Sequence, residues 1–411
     1  MLASEALLQL LKAQRLQCYA SFPDKWLGPL LRLLDEDAEV MHLPTTIERE
    51  ALGIAVGVQL AGMRSAVVMQ NSGIGNLLND WASLARNYAL PVPWLVSDRG
   101  SSGEQVTTQM VWHGRLRAIL HAAEIPCRTC TSTAQLAEIA ELVQYGYATQ
   151  QCVAALFPCA FWHNDLTPPA PRHERGPGRA ALSFPLHSAS AATYMAQRCH
   201  TAWRRFEALE CVLESLTTEF LFITLGDPCK EVYTIRDRVE TFYMLGSMGL
   251  VLPLGVGFAQ AYAALGGHRK TVVVDGDGSQ LMQLGGLGTF ARLQPNLALI
   301  VVDNGTYGST GDQPTLTGSQ VHLEAVGRAF GLTNVTTVGT AQQLEHRLQA
   351  VLAVPGPSLT VVLVQPGAPL TPLVPLPPVA IGERFRATVT ATLPIRNRED
   401  MSMLCGVPAG S

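Results

Sequence analysis

The sequence predicts an α/β protein made of two doubly wound parallel-sheet domains, and three observations carry that expectation. Short apolar runs alternate with helical patterns throughout, which is the spacing of β-α-β units. The 411 residues suffice for two domains of ordinary size. Between them, residues 167–179 read TPPAPRHERGPGR, a Pro-, Gly- and Arg-rich stretch with little capacity to pack. A hydrophobic content of 47% against 15% charged fits compact, well-buried domains rather than disorder.

In the first half, residues 3–15 form an amphipathic helix whose mixed charges do not match a signal peptide. An apolar strand at 18–22 and a helix at 26–34 follow. Strands at 39–43, 65–70 and 93–97 are interleaved with helices at 48–61 and 76–88. In the second half, a helix at 202–216 leads to strands at 219–225, 271–274, 297–302 and 358–365, before a Pro-rich tail expected on the surface. The expected division is 1–165, a linker at 166–189, a second domain at 190–385, and a tail at 386–411. The similarity of the halves suggests an old pair of related folds.

Composition narrows the partners. A net charge of −4 offers no electrostatic reason to bind nucleic acid or an anionic membrane, and no apolar run is long enough to span a bilayer. Nine cysteines without a framework suit a reducing cytoplasm. The lone C-x-x-C at Cys127 and Cys130 has no second pair and reads as structural.

The most informative segment is 271–308, TVVVDGDGSQLMQLGGLGTFARLQPNLALIVVDNGTYG. Two buried strands end in Asp275-Gly276-Asp277-Gly278 and Asp303-Asn304-Gly305, on the sheet edge where open α/β folds bind ligands. Asp277 and Asn304 are hard oxygen donors of the kind Mg²⁺ takes. Gly276 and Gly278 admit close approach of a phosphate, and the N–H groups near Ser279 face an anion at the start of a helix. A metal with a diphosphate suits this arrangement. A turn-rich strand end in another α/β protein competes with it, whereas a dinucleotide site is disfavoured because no Gly-x-Gly-x-x-Gly follows the strand.

Gly-Asp-Gly followed about 25 residues later by Asn resembles the motif of thiamine-diphosphate (ThDP) enzymes. The resemblance implies the ThDP-binding fold in both domains, and it implies ThDP and Mg²⁺ as cofactors. By the same resemblance Asp277, Asn304 and Thr306 hold the metal, and Gly276, Gly278 and Ser279 line the diphosphate. In such enzymes a glutamate against N1′ of the aminopyrimidine promotes loss of the C2 proton. Within TTIEREALGIAVG, Glu48 rather than Glu50 has the matching distance to Gly57. A first-turn glutamate that merely complements a helix dipole is the plainer reading, and it suits Glu50 better. The turn QNSGIGN, with Ser72 and Gly73, is similar to the family's glycine-rich loop, although an ordinary helix entry would look alike. In MLGSMG, Gly246, Ser247 and Met248 match an element that grips the aminopyrimidine, although a methionine there could equally be core.

Taken together, PTTIEREALGIAVGVQLAG, MQNSGIGN, SDRG, ETFYMLGSMG, DGDGSQLMQLGGLGT and DNGTYGSTGDQPT look like the sulfopyruvate and phosphonopyruvate decarboxylases. The resemblance covers nearly the whole chain: residues 1–165 look like an α subunit and 200–385 like a β subunit, fused, without the middle domain of larger ThDP enzymes. It implies decarboxylation of a three-carbon 2-oxo acid with a terminal anion, 3-sulfopyruvate giving sulfoacetaldehyde, a step toward coenzyme M. A phosphonopyruvate decarboxylase, a carboligase and a non-catalytic ThDP-binding scaffold are the competing readings. Arg99 is the expected receptor for the substrate anion. Gln109, His113 and Asp24 are its expected polar neighbours. Two departures bear on the substrate: bulky Leu250-Val251-Leu252-Pro253 after the Met248 element, and Asp24 with Trp26 in SFPDKW. Because ThDP sites usually join two subunits, a cytoplasmic homodimer or higher even oligomer is expected.

Overall fold

A computed structural model describes residues 1–165 and 201–394. The expected linker at 166–189 and the last part of the expected tail lie outside the described residues. The first sheet contains β1 (Cys18–Ser21), β2 (Met41–Pro44), β3 (Ser65–Gln70), β4 (Pro93–Asp98), β5 (Cys127–Thr129) and β6 (Val153–Pro158). The second contains β7 (Phe220–Ile223), β8 (Thr241–Tyr243), β9 (Thr271–Gly276), β10 (Leu297–Asp303), β13 (Val335–Val338) and β14 (Ser358–Leu363). A small antiparallel ribbon, β11 (Thr306–Tyr307) with β12 (Gln313–Pro314), stands apart from both.

The strand orders are β2-β1-β3-β4-β6-β5 and β13-β14-β10-β9-β7-β8, with every pair parallel. Numbered within its own sheet, the second order is 5-6-4-3-1-2, which read backwards is the first, 2-1-3-4-6-5. The two halves therefore share one topology. In both, the order reverses beside the first strand, between β1 and β3 and between β7 and β9. Crevices open at such reversals, at the carboxyl ends of the strands. All seven residues of β10 are buried, as expected for a parallel strand covered on both faces.

Two elements differ from the sequence expectation. The single helix expected at 76–88 is an α-helix at Ile74–Asp80 followed by a π-helix at Trp81–Arg86, and a 3₁₀ turn at Asn71–Gly73 precedes them. Such π turns are rare and frequently lie at functional sites; this one begins just after Asp80 and contains Ser83. The expected surface tail instead contains helix Pro378–Thr392, which runs through the boundary expected at 385. Its Phe385 is fully buried and packs on Phe220, Phe222, Phe242 and Phe258, so aromatic burial overrides the prolines that precede it. The C-x-x-C spans the end of edge strand β5, and the Cys130 thiol bonds the Ser132 carbonyl. Helices at Thr107–Ala122 and Val251–Ala264 complete the site described below.

The halves meet through helices Glu48–Leu60 and Val251–Ala264, both of which are buried along nearly their whole length. Glycine makes this crossing. A Cβ on Gly57 would overlap the Leu254 carbonyl oxygen, and one on Gly257 would overlap the Ile54 carbonyl oxygen. Gly53, one helical turn before Gly57, faces the Pro253 side chain. Pro253 sits in the first turn of its helix, where its missing N–H costs nothing. Its bulk fills the space that Gly53 leaves. One continuous apolar core thus runs from Val67 and Trp94 in the first sheet to Val273 and Ile300 in the second. We expect Gly57→Ala to destabilise the protein by roughly 1–3 kcal/mol through overpacking. A lowered denaturation midpoint would register it, and an unchanged midpoint would mean that the helices can slide apart freely.

Candidate active site

Glu48 opens its helix and is 3% exposed. Its Oε2 accepts from Asn76 Nδ2 at 2.9 Å, while a Cβ on Gly73 would lie 2.7 Å from Oε1. Gly73 is therefore glycine because the carboxylate occupies the space of its side chain. Glu50 behaves differently. It is fully buried, and its Oε2 accepts from the backbone N–H and the hydroxyl of Thr46 at 2.8 and 2.5 Å. Glu50 thus caps its own helix entry.

The residue between them crosses to the other half. Arg49 forks onto Asp80 at 2.9 and 3.1 Å and donates from Nη2 to the Met248 carbonyl at 2.8 Å. The turn at Gly246, Ser247 and Met248 is held further by Ser83, whose hydroxyl lies 2.7 Å from that of Ser247. Tyr88 bridges the Tyr243 carbonyl and the Leu245 N–H at 2.7 and 2.8 Å. From the Gly-Asp-Gly segment, Ser279 Oγ accepts from the Gly249 N–H at 3.0 Å. A single chain therefore brings Glu48, the Gly246–Met248 turn and the Gly-Asp-Gly loop to one cleft between its two halves.

At the far end of the cleft, Asp277 Oδ2 accepts the hydroxyls of Thr315 and Thr317 at 2.5 and 2.8 Å. The Thr317 hydroxyl also lies 2.9 Å from Asp303 Oδ1, so its one proton is shared between the two acids, and Asp303 accepts from the Gly305 N–H at 3.0 Å. Asn304 Oδ1 accepts from the Thr306 N–H at 3.0 Å, which folds the Asn304–Thr306 turn back toward Asp277. The neighbouring Asp275 is fully buried, and desolvation pushes its carboxyl up to about 7. Three buried carboxylates at two adjacent strand ends concentrate negative charge, a setting that a cation stabilises.

The residues present fit Mg²⁺ and a diphosphate. The donors at Asp277, Asn304 and Thr306 are all oxygen, which suits a hard cation. A Cβ at Gly276 would meet nothing within 4 Å, so the backbone beside Asp277 faces open space. Gly278, by contrast, is packed against the Tyr307 ring, which explains glycine there.

Ser72 and Gly73 lie in the 3₁₀ turn whose Asn71 donates to Asp98 and to the Arg99 carbonyl at 3.2 and 2.7 Å. His113, on helix Thr107–Ala122, has Nδ1 3.1 Å from Asp98 Oδ2, and Gln109 on the same helix has a buried Oε1 without a partner. Arg99 needs a correction. Its Nε and Nη2 fork onto Glu104 at 2.5 and 3.1 Å, and Nη1 binds Asp24 at 2.6 Å. These three buried side chains together carry a net charge of −1, so Arg99 neutralises its own neighbours instead of standing ready for a substrate anion. Hydrogen bonding to Arg99 holds the Glu104 carboxyl down at about 2.

Arg49, Asp80, Ser83, Tyr88, Thr315 and Thr317 were not among the residues the sequence singled out. Only Arg49, next to Glu48, and the Thr-x-Thr spacing after the Asn304 loop offered any signal.

The profile of the thiamine pyrophosphate enzyme C-terminal TPP binding domain matches residues 229–362. Over 94% of this chain and 97% of its own length, a sulfopyruvate decarboxylase of Methanosarcina acetivorans is 30% identical. A phosphonopyruvate decarboxylase of Streptomyces viridochromogenes is 33% identical over 90% of this chain and 91% of its own. The separate α and β subunits of the sulfopyruvate decarboxylase of Methanothermobacter thermautotrophicus match 39% and 44% of the chain at 37% and 40% identity, consistent with a fused form here. Among solved structures, benzoylformate decarboxylase from Polynucleobacter necessarius superposes with a TM-score of 0.66, covering 90% of this chain and 100% of its own at 14% identity. That likeness concerns the fold.

Glu104 makes the Arg99 cluster sensitive to acid. Its carboxyl titrates near 4.5 when free and about 2 when folded, so its stabilising contribution is complete above pH 4.5 and is lost as pH falls toward 2. In Glu104→Gln, unfolding followed across pH 2–5 should show a flatter acid limb than the parent protein. Identical limbs would contradict the pairing.

Proposed function

This chain belongs to the family of thiamine-diphosphate-dependent sulfopyruvate and phosphonopyruvate decarboxylases, and on that premise we propose that it converts 3-sulfopyruvate to sulfoacetaldehyde and CO₂. The observation that carries the site reading is the junction of the two halves. Arg49, next to Glu48, bonds the Met248 carbonyl, while Ser279 of the Gly-Asp-Gly loop accepts from the Gly249 N–H of the same turn. The helix that begins with Glu48 and the loop thus both hold one turn. Phosphonopyruvate is the second reading, since a relative acting on it is as similar over nearly the whole chain. Sulfonate and phosphonate are alike as tetrahedral anions.

Bound ThDP supplies a nucleophilic carbon and a sink for the electron pair released with CO₂. The protein's own residues divide the remaining work. Glu48, oriented by Asn76 through Oε2, has Oε1 to hold and exchange a proton at the pyrimidine end. Gly246, Ser247 and Met248 would cradle that ring, and the loop with Ser72 and Gly73 would lie over the thiazolium and the substrate. Asp277, Asn304 and Thr306 hold Mg²⁺, with Gly276, Gly278 and Ser279 beside the diphosphate. Gln109 and His113, on one helix beside Asp98, are the polar groups assigned to the approach of the substrate, with Asp24 held by Arg99. The oligomeric state expected from the family, a homodimer or higher even assembly, draws support from relatives that are subunits. A reducing, cytoplasmic setting fits the seven described cysteines, all free.

Incubation with ThDP, Mg²⁺ and 3-sulfopyruvate, phosphonopyruvate or pyruvate, with CO₂ and aldehyde measured together, tests this reading. Sulfopyruvate should give the highest kcat/KM, and absence of CO₂ from all three substrates would refute it. Glu48→Gln should lower kcat by about 10²-fold or more while ThDP still binds, as expected for loss of a positioned proton-transfer group. In Asp277→Asn, ThDP binding should weaken and should respond less to added Mg²⁺. A binding curve unchanged at every Mg²⁺ concentration would remove Asp277 from the metal set.

A further inference from the structure

The Arg49–Asp80 pair belongs to no step of the reaction described above, yet it ties the start of the Glu48 helix to the Gly246–Gly249 turn. We propose that Arg49 and Asp80 are positioning residues that fix the distance between Glu48 and the Gly246–Gly249 turn, and so set the width of the slot for the cofactor's ring. This rests on the ThDP reading of the site.

The geometry has a regular plan. Glu48 and Arg49 are consecutive at one helix start, and Asn76 and Asp80 lie one turn apart on the facing helix, on the same side of it. Asn76 orients Glu48, and Asp80 orients Arg49. Two adjacent residues are thus aimed by two residues of one short helix, Glu48 within the first half and Arg49 across to the second.

The target of Arg49 is a turn that needs holding. Ser247 adopts φ +60° and Gly249 φ +91°, both in the left-handed region. For serine this conformation costs free energy and persists only where surrounding contacts over-determine it. Here those contacts come largely from the first half: Ser83 to the Ser247 hydroxyl, the Asp80 carbonyl 3.4 Å from the same hydroxyl, and Arg49 on the Met248 carbonyl. A Cβ at Gly249 would lie 3.3 Å from Arg49 Nη1, so the guanidinium also packs against the turn. Asp80 is nearly inaccessible, with the Arg49 guanidinium at hydrogen-bonding distance. The planar fork of arginine serves both contacts at once, which a lysine ammonium cannot reproduce.

The test compares two probes on the same variants. ThDP engages the whole slot, whereas inorganic pyrophosphate with Mg²⁺ engages only the Asp277 end. Titration calorimetry would be run on the full chain for the parent, Arg49→Gln, Arg49→Lys and Asp80→Asn. We expect ThDP affinity to fall about tenfold or more in Arg49→Gln and Asp80→Asn, and less in Arg49→Lys, with pyrophosphate affinity within about twofold of the parent; tenfold corresponds to about 1.4 kcal/mol. Retained pyrophosphate binding also reports that the second half is folded. Full ThDP affinity in both Arg49→Gln and Asp80→Asn, or equal losses for the two probes, would overturn the proposal. A parent protein that binds pyrophosphate but not ThDP would instead overturn the cofactor reading, and this proposal with it.

Discussion

The close crossing of helices Glu48–Leu60 and Val251–Ala264 is the constraint on which the rest of this structure depends. Ordinary helix pairs keep their axes about 8–10 Å apart because side chains intervene. Here glycines at 57 and 257 each face a carbonyl oxygen of the opposite helix, with no room for a methyl group. Both helices begin at the cleft, one with Glu48 and the other just after the Gly246–Gly249 turn. Bringing the helices together therefore brings the carboxylate toward the turn, where the Arg49–Asp80 pair holds it.

Charge is managed by a second principle, in which every buried carboxylate near the cleft is answered locally. Asp80 has Arg49, and Asp24 with Glu104 has Arg99. Glu231, fully buried, is forked by Arg205. At the ends of β9 and β10 the hydroxyls of Thr315 and Thr317 lie on Asp277 and the Gly305 N–H donates to Asp303, while the Arg205 guanidinium also acts on Asp277. The oxygen atoms gathered there suit a hard cation.

Much of this was legible in the chain itself. Val- and Leu-rich runs fixed the central strands because both faces of a parallel sheet are covered, and the Gly-Asp-Gly to Asn spacing marked two adjacent strand ends. Glu48 could be separated from Glu50 by its distance to Gly57, and the geometry keeps them distinct: Glu48 faces the glycine turn, while Glu50 caps Thr46. Other features left no local trace. Helix Pro378–Thr392 lies behind a proline-rich stretch, and its burial is due to aromatic rings contributed by β7, β8 and helix Val251–Ala264. Arg99 looked like a loop arginine available to an anion because Asp24, 75 residues away, gives no sign in sequence of lying against it.

By itself, then, the sequence determined the fold class, the two-part organisation and the residue types of the cofactor cleft, because periodicity and motif spacing are local properties. Only the tertiary structure decided which charges are already paired, that one chain can close the cleft from both sides, and that Arg49 reaches the Met248 carbonyl across 199 positions. Those outcomes depend on how two helices approach through their glycines. That approach is set by the whole core at once, and no single segment encodes it.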